Sequence, residues 1–85
     1  MLDIVTVILT LYTGPQCSLC EMAVKLVEEH NAQGFPEITL NKVNIRDSHD
    51  LFHLYGARIP VLKRSDSQAE LAWPFELDNL VQFVK

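Results

Sequence analysis

The sequence is short of basic residues, of cysteine and of long apolar runs, and each shortage narrows what the chain does. Seven Lys and Arg stand against eleven Asp and Glu among 85 residues, for a formal charge of -4, and the cations are scattered. Nucleic acid and anionic membrane surfaces are not expected as partners, because both are held by clustered Lys and Arg. The apolar stretch from Ile4 to Leu11 falls well short of the roughly 20 residues that span a bilayer. Asp3, with no Lys or Arg before it, is unlike the basic start of a secretory signal. The expected setting is the cytoplasm. Two cysteines are too few for a disulfide scaffold and two ligands short of a closed zinc site. No repeat, linker or low-complexity segment interrupts the chain. A hydrophobic content of 48% is enough for one modest core, so residues 1–85 are read as a single domain.

What is present gathers at Tyr12-Thr13-Gly14-Pro15-Gln16-Cys17-Ser18-Leu19-Cys20-Glu21, where the apolar run stops, a Gly-Pro turn follows and two cysteines open an amphipathic stretch. An extended segment feeding a tight turn places Cys17 at the first turn of the next helix. Free backbone N–H groups and the positive dipole end then lie close to its sulfur, which favours thiolate over thiol. Cys20, three residues on, returns to the same helix face within reach of a bond to Cys17. In a cytoplasmic chain this spacing reads as redox or metal chemistry rather than a structural staple.

The flanking pattern gives an order of elements. Ile4 to Tyr12 is β-branched and almost continuously apolar, as expected of a central strand covered on both faces. From Ser18 to about Gln33, Cys20, Ala23, Val24 and Val27 recur at helical spacing, with Glu21, Lys25, Glu28 and Glu29 on the wet side. Gly34 and Phe35-Pro36 end that helix. Glu37 to Ile45 reads as a second strand, and the change of phase between Leu40 and Val43 suggests a bulge or uneven cover. Asp47 or Ser48 caps a short helix with apolar Leu51, Leu54 and Tyr55, ending at Gly56. Two strands joined by a helix imply a parallel pair. Ile59 to Arg64, a Ser65-Asp66-Ser67 turn and Gln68 to Ala72 form a hairpin at the sheet edge. Leu77, Leu80, Val81 and Val84 mark a closing helix introduced by Trp73-Pro74-Phe75. The order is βαβαββα, an α/β fold with a four-stranded mixed sheet flanked by helices.

A C-x-x-C at a strand-to-helix junction, followed by βα and then Ile-Pro before a hairpin, resembles the thioredoxin superfamily and is closest in size to glutaredoxins. The resemblance covers essentially the whole chain. It rests on Cys17-Ser18-Leu19-Cys20, on Tyr55-Gly56-Ala57-Arg58-Ile59-Pro60, and on the Cys-x-Leu-Cys-Glu and Trp-Pro-Phe segments, which look like a short glutaredoxin-like family. The resemblance implies a thioredoxin-like fold, with Cys17 as nucleophile, Cys20 as resolving cysteine and Pro60 as a cis-proline facing the pair. A cis Ile59–Pro60 bond would offer the Ile59 backbone N–H and C=O to an extended substrate. The implied activity is thiol–disulfide exchange on a protein or low-molecular-weight disulfide, with a thioredoxin-type reductant or a small thiol as partner. Two other readings stay open: an interaction module whose cysteines no longer turn over, and a carrier in which Cys17 thiolates of two chains hold an iron–sulfur cluster with outside thiols.

Other residues carry two readings each. Arg58, two residues before Pro60, meets an acidic group on a substrate or forms an exposed salt bridge. Trp73 and Phe75 are core or staple residues, with Trp73 also able to touch a ligand. His49 and His53 stand at i,i+4, a metal-ligand spacing without a third ligand, and read as solvated helix residues. His30 reads as a charge or cap group at a helix C-terminus. No resident cofactor or metal is expected, and the chain is read as a monomer. Glutathione enters as a weakly bound co-substrate, since Thr13 to Gln16 holds no cation and Ala72-Trp73-Pro74-Phe75 stands where glutaredoxins carry a Gly-Gly turn.

Overall fold

The computed structural model describes residues 6–34 and 36–85. The readings on Ile4, Val5 and Phe35 lie outside the described residues. Strand β1 (Thr6–Thr13) leads to helix α1 (Ser18–Gln33), strand β2 (Glu37–Asn44), a 3-10 turn (Ile45–Asp47), helix α2 (His49–Tyr55), strands β3 (Val61–Arg64) and β4 (Glu70–Ala72), and helix α3 (Leu77–Phe83). The sheet order is β2-β1-β3-β4. Strand β1 runs parallel to β2 and antiparallel to β3, which is antiparallel to β4. The βαβαββα order and the mixed sheet read from the sequence are both present.

Alternation along β1 divides the interior into two layers. Val7, Leu9 and Leu11 point to one face and pack with Ala23 and Val27 of α1, Leu80 of α3 and Val84 at its C-cap. Tyr12 points to the other face and joins Leu51 and Tyr55 of α2, Ile45 and Val61. That second face is only partly covered, so the expectation of a β1 buried on both sides is corrected. Ile8 is 44% exposed and Thr6 is exposed. The cause is length: a seven-residue helix is about 10 Å long, against about 26 Å for an eight-residue strand. Threonines on the bare half of β1 suit a wet sheet face.

Two further expectations change. The β1–β2 register runs unbroken from Thr6↔Glu37 to Thr13↔Asn44, so β2 has no bulge there. Ile38 is buried, Leu40 and Val43 are half-buried, and the phase change in the sequence reflects uneven cover. In α2, Leu51 and Tyr55 at i,i+4 supply the inward face, while Leu54 is 61% exposed. A short helix resting on one sheet buries only the narrow stripe that faces it. Ser48 is the cap, its hydroxyl accepting the Leu51 N–H at 3.3 Å.

Side chains at the end of α1 fasten it to β2. The Asn31 amide pairs with both backbone groups of Ile38, accepting from its N–H at 2.8 Å and donating to its carbonyl at 2.9 Å. His30 is buried, with Nε2 2.7 Å from the Pro36 carbonyl. Where the sequence reading has a charge or cap group at the helix end, the ring is a packed tether to the segment that leads into β2. Arg64 at the end of β3 reaches the last turn of α3, donating to the Phe83 carbonyl at 2.7 Å, where a cation complements the helix dipole.

Candidate functional site

The site is assembled where β1 ends. Pro15 fixes one turn torsion, and Gln16 follows at φ 54, the left-handed geometry that a type II turn requires at its third position and that Gly or Asn usually occupies. Cys17, at φ -103 and ψ 97, is the N-cap of α1. Its Sγ accepts the Cys20 backbone N–H at 3.1 Å, so sulfur occupies the place of the usual capping oxygen. Negative charge on Cys17 is favoured by this donor and by the dipole end, and opposed by Glu21 one turn on. Cys17 is half-buried and Cys20 only 3% exposed. The two are joined by a disulfide, with Cα atoms 5.2 Å apart. An incoming group meets Cys17 first.

The segment from Tyr55 to Pro60 forms a second wall. The Ile59–Pro60 and Trp73–Pro74 peptide bonds are both cis. A Cβ on Gly14 would stand 3.0 Å from Ile59 Cδ1, so the absence of a side chain at Gly14 lets the cysteine turn and this segment close on each other. The Trp73 N–H donates to the Pro60 carbonyl at 3.1 Å and the Ile59 N–H to the Tyr55 carbonyl at 3.2 Å. The second bond corrects an expectation: the Ile59 N–H has an internal partner, and only its carbonyl is left for a substrate.

Arg58 is engaged by Glu70 and Tyr55. Its guanidinium donates to Glu70 Oε1 at 3.3 Å and lies 5.5 Å from the centre of the Tyr55 ring. Of its two sequence readings, the exposed salt bridge is the one present. The Tyr55 hydroxyl donates to Glu70 Oε2, and the Tyr55 ring stacks on Tyr12 with centroids 4.3 Å apart. The hydrogen bond to Glu70, then burial, push the Tyr55 phenol up to about 12. The same hydrogen bond holds the Glu70 carboxyl below its ordinary value. Sequence reading missed this network, because residues 55 and 70 meet only through the β3–β4 pairing.

Trp73 is half-buried against the core and meets Phe75 edge-on at 5.0 Å. It also lines a groove of about 650 Å³ with Met22, Leu26, Pro74 and Leu77. A second cavity, about 210 Å³, adjoins both cysteines and is lined by Gly14, Gln16, Glu21 and Lys42. Lys42 was not foreseen, since it is 25 positions from Cys17 in the sequence and comes near through the parallel β1–β2 register. The rings of His49 and His53 lie 6.1 Å apart, and among the described residues no three metal-binding side chains gather. No helix of the described residues is long and apolar enough to cross a membrane.

The fold and the vicinal cysteines define a thioredoxin-like protein whose C-x-x-C pair fits a thiol redox role. The chain belongs to the glutaredoxin-like domain family (DUF836), which matches residues 8–85. Its structure is similar to the X-ray structure of XcR50, a structural-genomics target protein from X. campestris, with TM-score 0.75 and 34% identity over 89% of this chain and 93% of that one. A malarial protein shares the fold at TM-score 0.67 and 17% identity, over 93% of both chains. No match was found among curated proteins.

Proposed function

We propose that the protein is a thiol–disulfide oxidoreductase that works through a reversible Cys17–Cys20 disulfide on a disulfide-containing protein or a low-molecular-weight disulfide. The observation that carries this reading is the Cys17 sulfur capping α1 and accepting the Cys20 N–H at 3.1 Å. In the reduced protein the same donor faces a thiolate, and a hydrogen bond to a charged group is stronger than one to a neutral group. The Cys17 thiolate attacks a substrate disulfide, forming a mixed disulfide and expelling one substrate thiolate. Cys20 then loses its proton and attacks Cys17 Sγ, which closes Cys17–Cys20 and expels the second. Two electrons pass from the dithiol to the substrate. An outside dithiol of thioredoxin type, or two equivalents of a small thiol, returns them.

The buried position of Cys20 favours this division of roles, since a bulky disulfide reaches the half-buried Cys17 first. An extended substrate rests against Pro60 and pairs with the Ile59 carbonyl. The reading needs no resident cofactor, and it places a monomer in the cytoplasm. Cys20→Ser is expected to accumulate mixed disulfides through Cys17, and Cys17→Ser to lose exchange. Alkylation of the reduced protein at mildly acidic pH, followed by peptide mapping, should label Cys17 before Cys20. Exchange retained by Cys17→Ser, or first labelling at Cys20, overturns the assignment.

A further inference from the structure

We propose that His49 and His53, on the outer face of α2, are half of a zinc site, and that the same pair from a second copy of the chain completes it, so that zinc joins two chains through their α2 helices. Leu51 and Tyr55 turn α2 inward. At about 100° per residue, His49 and His53 then stand roughly 160° away from them, on the side that meets solvent. Both rings are exposed, and their centres lie 6.1 Å apart. With Zn–N bonds of about 2.0–2.1 Å, two imidazoles on one tetrahedral ion have centres about 5 Å apart. Side-chain rotation of two exposed residues covers that difference. No hydrogen bond or ion pair among the described residues holds either ring, whereas the buried His30 has its Nε2 on the Pro36 carbonyl.

One chain cannot finish the site. Closed zinc sites are tetrahedral with four ligands, and among the described residues no three His, Cys, Asp or Glu side chains gather. A cavity of about 510 Å³ lies along His49, Asp50, His53 and Leu54. All four belong to α2, so the opposite wall is missing. A two-fold axis through the ion supplies that wall, because an isologous contact sets the same residues of two copies against each other. Two pairs give four imidazole nitrogens, a donor set that suits zinc. Phe52, 51% exposed, flanks the histidine stripe on one side, and Leu54, 61% exposed, lies beyond Asp50 on the other. Their burial between copies adds apolar area to the contact.

The contact depends on the metal. The outer face of a seven-residue helix is about 10 Å long and about 10 Å wide, roughly 100 Å² against the roughly 800 Å² that each partner buries in a stable interface. A formal charge of -4 on each chain also opposes pairing, and a divalent ion at the contact lessens that repulsion. Without zinc the chain stays a monomer. The site shares no residue with the cavity at the cysteines or with the Trp73 groove, so it stands independently of the proposed exchange chemistry.

The test uses the untagged oxidised protein, in which Cys17 and Cys20 are bonded to each other and offer zinc no thiolate. Zinc chloride is titrated in while light scattering or sedimentation reads the mass. The mass is expected to double from 9.7 kDa, to be greatest near one zinc per two chains, and to fall again in large excess, where each histidine pair takes an ion of its own. EDTA should restore the monomer. His49→Gln and His53→Gln are surface changes whose folding circular dichroism checks, and each should abolish the doubling, while Asp50→Asn should keep it. A mass that stays monomeric throughout the titration, zinc bound at one per chain without doubling, or doubling retained by either histidine variant overturns the proposal. Failure of disulfide exchange removes the proposed function and leaves this result standing.

Discussion

The Tyr55 hydroxyl donates to Glu70 Oε2 at 2.5 Å, joining the last residue of α2 to the first residue of edge strand β4. Through Tyr55 the same unit reaches Tyr12 near the end of β1, and through Glu70 it holds Arg58. The segment carrying Ile59 and Pro60 is therefore fixed from both sides by side chains that take no part in the exchange chemistry.

Removing the hydroxyl should cost stability in a pH-dependent way. Tyr55→Phe is expected to lower unfolding free energy by about 1.5 kcal/mol at neutral pH, the low end for a hydrogen bond to a charged group, because Glu70 keeps contact with water. The sign follows from the shifts. The Tyr55 phenol is raised to about 12, so its contribution is complete below its unfolded value of about 10 and is lost as pH rises through about 12. The Glu70 carboxyl is lowered, so its contribution is present above its unfolded value of about 4.3 and is lost as pH falls through the folded one. Urea midpoints of parent and variant should differ most between those limits and converge on either side. A gap independent of pH would assign the loss to packing.

The contact between Gly14 and Ile59 makes a second prediction. Gly14→Ala places a methyl group 3.0 Å from Ile59 Cδ1, too close without a shift, although the obstructing atom is the far end of a flexible side chain. We expect a loss of about 1 kcal/mol, together with slower exchange as the two walls of the site are pushed apart. Ile59→Val removes the obstructing methyl and should recover most of both losses in the double variant. Additive stability effects in a double-mutant cycle would show that the two positions do not meet.

The main elements were legible because their signals are local. The β-branched run of β1, the Ala23–Val27 spacing of α1, and the Leu77, Leu80, Val84 stripe of α3 each declare a period within one element. Cys17 and Cys20 were legible for the same reason, being a motif three residues long at a strand end. Features that arise from tertiary contact were not. The exposure of Leu54 depends on how little of α2 the sheet touches, and the half-bare face of β1 on how short α2 is. Lys42 reaches the cysteines only through the β1–β2 register, and Glu70 reaches Tyr55 only through the edge hairpin. The internal partner of the Ile59 N–H depends on how tightly the chain turns after α2.

Gln16 offers a test of local strain beside the reactive cysteine. Its φ of 54 costs an ordinary L-residue roughly 1 kcal/mol, and Gly pays no such penalty at the cost of greater unfolded-state freedom. Gln16→Gly should therefore be neutral to about 0.5 kcal/mol stabilising, while Gln16→Val should destabilise by at least about 1 kcal/mol, since β-branched residues tolerate this region least. Thermal melts of the three oxidised proteins rank them. If Val ranks with Gln, the turn does not hold the left-handed geometry in solution.

Glutathione is the small thiol that kinship to glutaredoxins suggests as a reductant, and the expected outcome is weak binding. Glutaredoxins resemble one another in three supports for the tripeptide: a cation shortly before the first cysteine, the backbone beside the cis-proline, and a Gly-Gly turn leading to an Asp at the last helix. Thr13 to Gln16 supplies no cation, and a carboxylate without one forgoes a contact worth about 1.5–3 kcal/mol. Arg58 is turned to Glu70 and the Tyr55 ring, so using it would require breaking that pair. At the third support the Trp73 N–H already donates to the Pro60 carbonyl, and Pro74 has no N–H to give. The cation that does approach Cys17 is Lys42, in a cavity bordered by Cys17, Cys20, Glu21 and Val24 of α1. The Trp73 groove is bordered instead by Met22, Lys25, Leu26 and Glu29, on another face of the same helix. Calorimetric titration of the Cys17→Ser, Cys20→Ser protein with reduced glutathione should therefore show no more than millimolar affinity, and Lys42→Met should change it little. Saturable binding in the micromolar range would show that the chain builds the three supports from other residues, and would make glutathione rather than a protein dithiol the expected reductant.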